Sequence, residues 1–163
     1  MKKFLAGFCA AAIAAGCMGM TVMADTEATD KLTSYEATSD NVKLIGRTYR
    51  KGDTTILGYS ASGIEFKCTG TKAVFNVNGS VGEARIGVFV NGKLVKQGYI
   101  KNKKTNAVEV DLPEGESTVK LIKLSEAAQS VIAIDSFEVD GKPQPTEAAK
   151  HSIEFIGDSI TCG

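Results

Sequence analysis

Tryptophan is absent from this 163-residue chain, histidine occurs once, and proline three times. Without tryptophan, an aromatic platform for a flat ligand falls to tyrosine, with Tyr49, Tyr59 and Tyr99 as the exposed candidates. The lone His151 and a few cysteines without ligand spacing offer no cage for a metal ion. Phosphate-cradling glycine patterns are also missing, and the glycines are scattered as turn and bulge residues. Neither charge is in excess, since 19 basic residues face 19 acidic ones, so the chain carries no electrostatic footprint for nucleic acid. The Lys101-Asn102-Lys103-Lys104 cluster is short enough to be a solvated loop.

What is present begins with a leader. Lys2 and Lys3 precede an apolar stretch over 4–15, and Val22-Met23-Ala24 offers small residues for cleavage. Residues 1–24 therefore read as a signal peptide, and the expectation is a secreted, extracellular protein with no membrane partner after cleavage. The stretch is too short and too rich in alanine and glycine to span a bilayer well. Ala14-Ala15-Gly16-Cys17 loosely resembles a lipoprotein site, but Ala14 departs from the large aliphatic residue such sites use, so a lipid anchor at Cys17 is the lesser alternative. Cleavage would leave Cys68 and Cys162, which make no disulfide framework. Cys68 sits in an apolar strand pattern as a small buried residue, and nothing demands a bridge to Cys162.

Residues 25–40 are rich in Thr, Ser, Asp and Glu, and a solvated leader with little order is expected there. From 41 to 141 the pattern becomes short runs of β-branched and aromatic residues between turn signals, with no sustained helical period. This predicts an all-β domain with strands over 64–68, 73–78, 85–90, 94–100, 107–110, 117–124 and 131–139. Asn91-Gly92 supplies the two positive-φ positions of a tight hairpin, and Ile86, Val88 and Val90 alternate onto one face. Several such strands must cover their apolar faces with a second layer, which implies a sandwich or barrel. Lys142-Pro143-Gln144-Pro145 opens a linker over 142–152, because paired prolines cannot join a central ladder. The apolar run 153–156 then reads as the first buried strand of a parallel α/β sheet.

That run continues as Ile153-Glu154-Phe155-Ile156-Gly157-Asp158-Ser159-Ile160-Thr161-Cys162-Gly163. A serine on a tight strand-to-helix turn is how several hydrolases expose a nucleophilic hydroxyl, and Gly157 permits the turn that a side chain would obstruct. A serine capping an ordinary turn is the plainer alternative. His151 is not the base for Ser159: mostly extended chain at about 3.3 Å per residue separates the two by more than roughly 20 Å.

Gly157-Asp158-Ser159-Ile160-Thr161 resembles the first block of the GDSL, or SGNH, hydrolases. The longer run, placed behind a β-rich domain, is similar to carbohydrate esterase family 2. That resemblance implies an N-terminal jelly-roll β-sandwich joined to an SGNH domain, here only its opening strand over 153–163. It implies an acetyl esterase acting on plant cell-wall polysaccharide, such as acetylxylan or acetylated mannan, with no cofactor. Ser159 would be nucleophile and donate an oxyanion N–H, Gly157 and Asp158 would support the turn, and the base and other oxyanion donors would lie downstream. This chain alone is then expected to be inactive. Gly58-Tyr59-Ser60-Ala61-Ser62-Gly63-Ile64-Glu65-Phe66 matches the family's early sandwich motif and makes Tyr59 the first candidate for sugar contact, although a tyrosine packing a sheet rim is the commoner role. The alternative function is a non-catalytic carbohydrate-binding or structural module.

Overall fold

The computed structural model describes residues 31–163 apart from 103, 152, 155, 159 and 161–163. The expected signal peptide and Cys17 lie outside the described residues. Twelve strands follow one another: β1 Thr33–Tyr35, β2 Lys43–Ile45, β3 Thr48–Lys51, β4 Thr54–Leu57, β5 Gly63–Thr69 and β6 Lys72–Val81, then β7 Ala84–Val90, β8 Lys93–Ile100, β9 Thr105–Asp111, β10 Glu116–Lys123, β11 Val131–Val139 and β12 Gln144–Pro145. They form two antiparallel sheets packed as a jelly-roll-type sandwich. The first runs β3-β4-β11-β6-β9, with β1 continuing the β4 side of β11, and the second runs β12-β5-β10-β7-β8, with β2 also on β5. Each of the seven strands predicted between 64 and 139 is present.

Alternation builds the core. Along β10, Ser117, Val119, Leu121 and Lys123 are buried while the residues between them are partly open. Phe66 of β5 reaches across the layers to Phe137 of β11 and Phe75 of β6, with ring centroids 4.7 and 6.1 Å away. In β11 the alternation breaks once, because Ile132 and Ile134 are buried and the next buried apolar residues are Phe137 and Val139. The register with β6 shifts between Ile134 and Ser136, so Asp135 is the extra residue of a bulge that returns Phe137 to the core.

Two expectations need correction. The leader over 25–40 is not solvated throughout its described part: β1 pairs with β11, Tyr35 stacks on Phe137 at 5.8 Å, and Ala37 is fully buried beneath Thr55, whose Oγ1 donates to the Ala37 carbonyl at 2.8 Å. A three-residue strand is too short to show alternation, so long-range pairing decides its fate. The linker over 142–152 is docked at its start, since β12 pairs with Phe66 and Lys67 of β5. Thr146 Oγ1 donates to Glu65 at 2.6 Å, and Lys43 Nζ donates to the Glu147 carbonyl at 3.1 Å. Pro145 is tolerated because it lies on the sheet edge, where no further partner needs its missing N–H.

Asp140 closes the turn between β5 and β6. Its carboxylate accepts the Thr71 N–H at 2.7 Å, the Thr71 hydroxyl at 2.7 Å and the Lys72 N–H at 3.2 Å. Desolvation pushes the group up, but these hydrogen bonds from Thr71 and Lys72 outweigh it and hold the carboxyl below the usual range. Gly70 is required beside it, because a Cβ there would stand 2.2 Å from Asp140 Oδ1.

Candidate functional site

The nucleophile turn comes first. Of the apolar run expected as a strand, Ile153, Glu154 and Ile156 join no strand, and Ile156 is 91% exposed. A parallel strand needs neighbours on its ladder, and none of the described strands pairs with this segment. Gly157 and Asp158 are exposed, and Asp158 Oδ1 accepts the Ile160 N–H at 2.9 Å. An aspartate that accepts the N–H two residues on makes a local Asx-type contact. Ser159 and Cys162 lie outside the described residues. His151 is exposed.

The three tyrosines occupy different places. Tyr49 is on the edge strand β3, level with Ile56 on the outer face of the first sheet. Tyr59 sits in the turn after β4, where the Arg47 guanidinium lies 4.3 Å over its ring and covers one face. That turn contains Ala61 at φ 60° and is tied to β10 by Ala61 N–H to the Lys123 carbonyl, 2.8 Å, and Lys123 N–H to the Ser62 carbonyl, 2.9 Å. Lys123 is fully buried, and its Nζ donates to the carbonyls of Ser125 and Glu126. Burial pushes its amine below the ordinary lysine value.

Tyr99 is 64% exposed on β8 and pairs across the ladder with Arg85 of β7. It borders a depression of about 320 Å³ whose walls include Leu124, Glu83, Arg85, Glu126 and Gln129. On its other side lies a smaller one of about 170 Å³, lined by Ile86, Gln97, Asn106 and neighbours between β8 and β9. Arg85 is fixed by donating to Gln97 Oε1 at 2.9 Å. Asn106 donates to the carbonyls of Val77, Lys101 and Lys104, which shapes the loop before β9. Sequence reasoning named Tyr99 but missed Arg85, Glu126 and Gln129, because only the ladder and the loop after β10 bring them together. A pyranose-sized object with an apolar face and a rim of hydroxyls matches an aromatic wall flanked by guanidinium, carboxylate and amide.

Among the described residues no cluster of His, Cys, Asp and Glu is arranged to hold a metal ion, and no helix is long and apolar enough to cross a membrane. Cys68 is a free, buried thiol, pushed up to about 11 chiefly by desolvation and further by Asp140.

The two packed antiparallel sheets define a jelly-roll-type β-sandwich domain. The family model for the carbohydrate esterase 2 N-terminal domain matches residues 44–148, and the chain belongs to that family. The fold is similar to that of a family two carbohydrate esterase from Cellvibrio japonicus, with TM-score 0.69 and 22% identity over 82% of this chain and 41% of that one. It is likewise similar to a family two carbohydrate esterase from Clostridium thermocellum in complex with cellohexaose, with TM-score 0.66, 28% identity, and coverage of 74% and 38%. An acetyl xylan esterase from the rumen bacterium Butyrivibrio proteoclasticus gives TM-score 0.65, 22% identity, and coverage of 80% and 38%. The chain therefore spans about two fifths of the length of these relatives. No curated protein sequence matches it.

Proposed function

We propose that this sandwich is the N-terminal part of an exported carbohydrate esterase that removes acetyl groups from plant cell-wall polysaccharide, acetylxylan or acetylated mannan, through Ser159. The observation that carries this reading is the order of parts: a carbohydrate esterase 2 N-terminal domain over 44–148 followed closely by Gly157-Asp158-Ser159. Ser159 Oγ attacks the acetyl carbonyl, a downstream histidine takes its proton, and the Ser159 N–H with downstream donors holds the tetrahedral oxyanion. Gly157 and Asp158 shape the turn, and the Asp158 contact to the Ile160 N–H supports that role. No cofactor enters the chemistry. Secretion follows from reading residues 1–24 as a signal peptide.

The decisive measurement is acetate release from acetylxylan and acetylated mannan by the chain extended through its downstream coding sequence. Ser159→Ala should lower turnover by more than about a thousandfold, since the nucleophile cannot be bypassed. The 163-residue chain itself should give no release above background, because a serine without an adjacent base and a full set of oxyanion donors is a poor nucleophile. Activity in the extended chain that survives Ser159→Ala would overturn the assignment.

A further inference from the structure

The outer face of the second sheet is uneven. Its β5 and β10 half is charged and paired: Glu65 lies 3.8 Å from Lys43 and 3.7 Å from Lys120, and Lys67 lies 3.3 Å from Glu116. Its β7 and β8 half carries an apolar strip beside the Arg85–Gln97 pair. There Gly87 faces outward as a floor, with Leu94, Leu124 and Phe89 so close that a Cβ would stand 3.2 to 3.3 Å from them. Leu94 and Leu124 are exposed, and Leu124 also walls the depression beside Tyr99. The aromatic ring, the apolar saddle and the polar rim of Arg85, Glu126 and Gln129 are therefore continuous.

We propose that this depression is an accessory glycan-binding site, in which Tyr99 and Leu124 take the apolar face of a pyranose in a β-linked polysaccharide and Arg85, Glu83, Glu126 and Gln129 bind its hydroxyls. Several features favour a sugar. Arg85 stands level with Tyr99 on the ladder and donates to Gln97 Oε1 at 2.9 Å, so a guanidinium is already beside the ring. Carboxylate, guanidinium and amide together supply both acceptors and donors, which hydroxyls require in equal measure. A volume of about 320 Å³ holds a short stretch of chain rather than a protein interface. Tyr59, the candidate in the family-like segment, borders neither depression described here and has one ring face under Arg47. The choice of polymer rests on the proposed esterase reading, but the site is separate from Ser159 chemistry.

Titration calorimetry with soluble xylan, mannan and cello-oligosaccharides tests the site on this chain and on the chain extended downstream. Binding should be weak and should fall about tenfold in Tyr99→Ala and severalfold in Glu126→Gln, with Tyr49→Ala unchanged and all variants melting cooperatively. Conservative Tyr99→Phe should retain most of the affinity. Absence of binding to all three polymers overturns the proposal, as does binding that Tyr99→Ala leaves intact. A concentration-dependent dimer that Tyr99→Ala dissolves, without glycan binding, would assign the patch to a second copy instead. Binding seen in this chain and lost in the extended one would mean that a neighbouring domain covers the patch. The two readings separate cleanly: Tyr99-dependent binding without acetate release by the extended chain supports the site and defeats the esterase assignment, whereas acetate release without such binding does the reverse.

Discussion

The inner faces of the two sheets are alike and the outer faces are not. Inside, β6, β11, β5 and β10 contribute the same kind of alternating Val, Ile, Leu and Phe side chains. Outside, the β6 and β11 centre of the first sheet is closed by its own hydrogen bonds, and only its β3 edge leaves a ring, Tyr49, exposed among the described residues. Asn76 Nδ2 donates to Ser136 Oγ at 3.0 Å and to Glu138 Oε1 at 2.8 Å, Asn78 Nδ2 donates to Asp135, and Thr54 Oγ1 donates to Asp135 at 3.4 Å. The β7 and β8 part of the second sheet leaves Leu94, Val95 and Tyr99 open to solvent instead. Polar groups that satisfy each other gain little from a ligand, while a ring and aliphatic side chains facing water gain by being covered. Stability should therefore respond to changes on the first outer face and binding to changes on the second, with the shared interior as the reference for both.

The largest effect belongs to that interior. Phe66 is fully buried and touches both Phe75 and Phe137 of the opposite sheet. Phe66→Ala should cost about 3–5 kcal/mol in chemical denaturation, through lost burial and the cavity left behind. A cost below about 1 kcal/mol would mean that the sheets do not share one core, and the comparison of their outer faces would lose its common reference.

How much of this was legible in the sequence depends on the range of the signal. Seven strands and the Asn91-Gly92 hairpin were readable because each carries its alternation or turn chemistry locally, and Asn91 does take φ 50°. The short strands β1 to β4 and β12 were not, since two to four residues cannot display a period and are fixed by partners far along the chain. The site shows the same limit more sharply. A two-residue hairpin pairs Val90 with Lys93 and Phe89 with Leu94, and continuing that register would place Arg85 opposite Gly98. A bulge after Val88 advances the pairing by one, which sets Arg85 beside Tyr99 on the same face. One irregularity decides which side chains wall the depression, and no residue pattern announces it. The Gly157-Asp158-Ser159 motif is the opposite case, because whatever it signals is written in adjacent residues.

A second prediction sharpens the contrast through pH. Asp140 directly follows β11, and its hydrogen bonds from Thr71 and Lys72 keep its folded carboxyl below the ordinary value. A depressed folded value means stabilisation that is fully present above the unfolded pKa of about 4 and lost as pH falls through the folded one. Asp140→Ala should cost about 1–2 kcal/mol near neutral pH, a figure kept small by solvent screening. The gap between wild type and variant in denaturant melts should close progressively below about pH 4. A gap that stays constant down to pH 2 would show that ionisation of Asp140 contributes nothing.

The smallest effects test the comparison itself. Asp135 sits at the bulge of β11 and accepts from Asn78 and Thr54, so Asp135→Ala strands two donors on the first outer face and should cost about 1 kcal/mol. Leu94 on the second face is half exposed and lies against the Gly87 floor, so Leu94→Ser removes little buried area and should change stability by no more than about 0.5 kcal/mol. For xylan or mannan affinity the order should reverse, with Leu94→Ser weakening binding and Asp135→Ala leaving it unchanged. Parallel denaturant melts and glycan titrations on the two variants read both quantities at once. If Leu94→Ser proves the more destabilising of the two while affinity stays constant, the apolar half of the second sheet is a structural seal, and the distinction between a closed face and an available one fails.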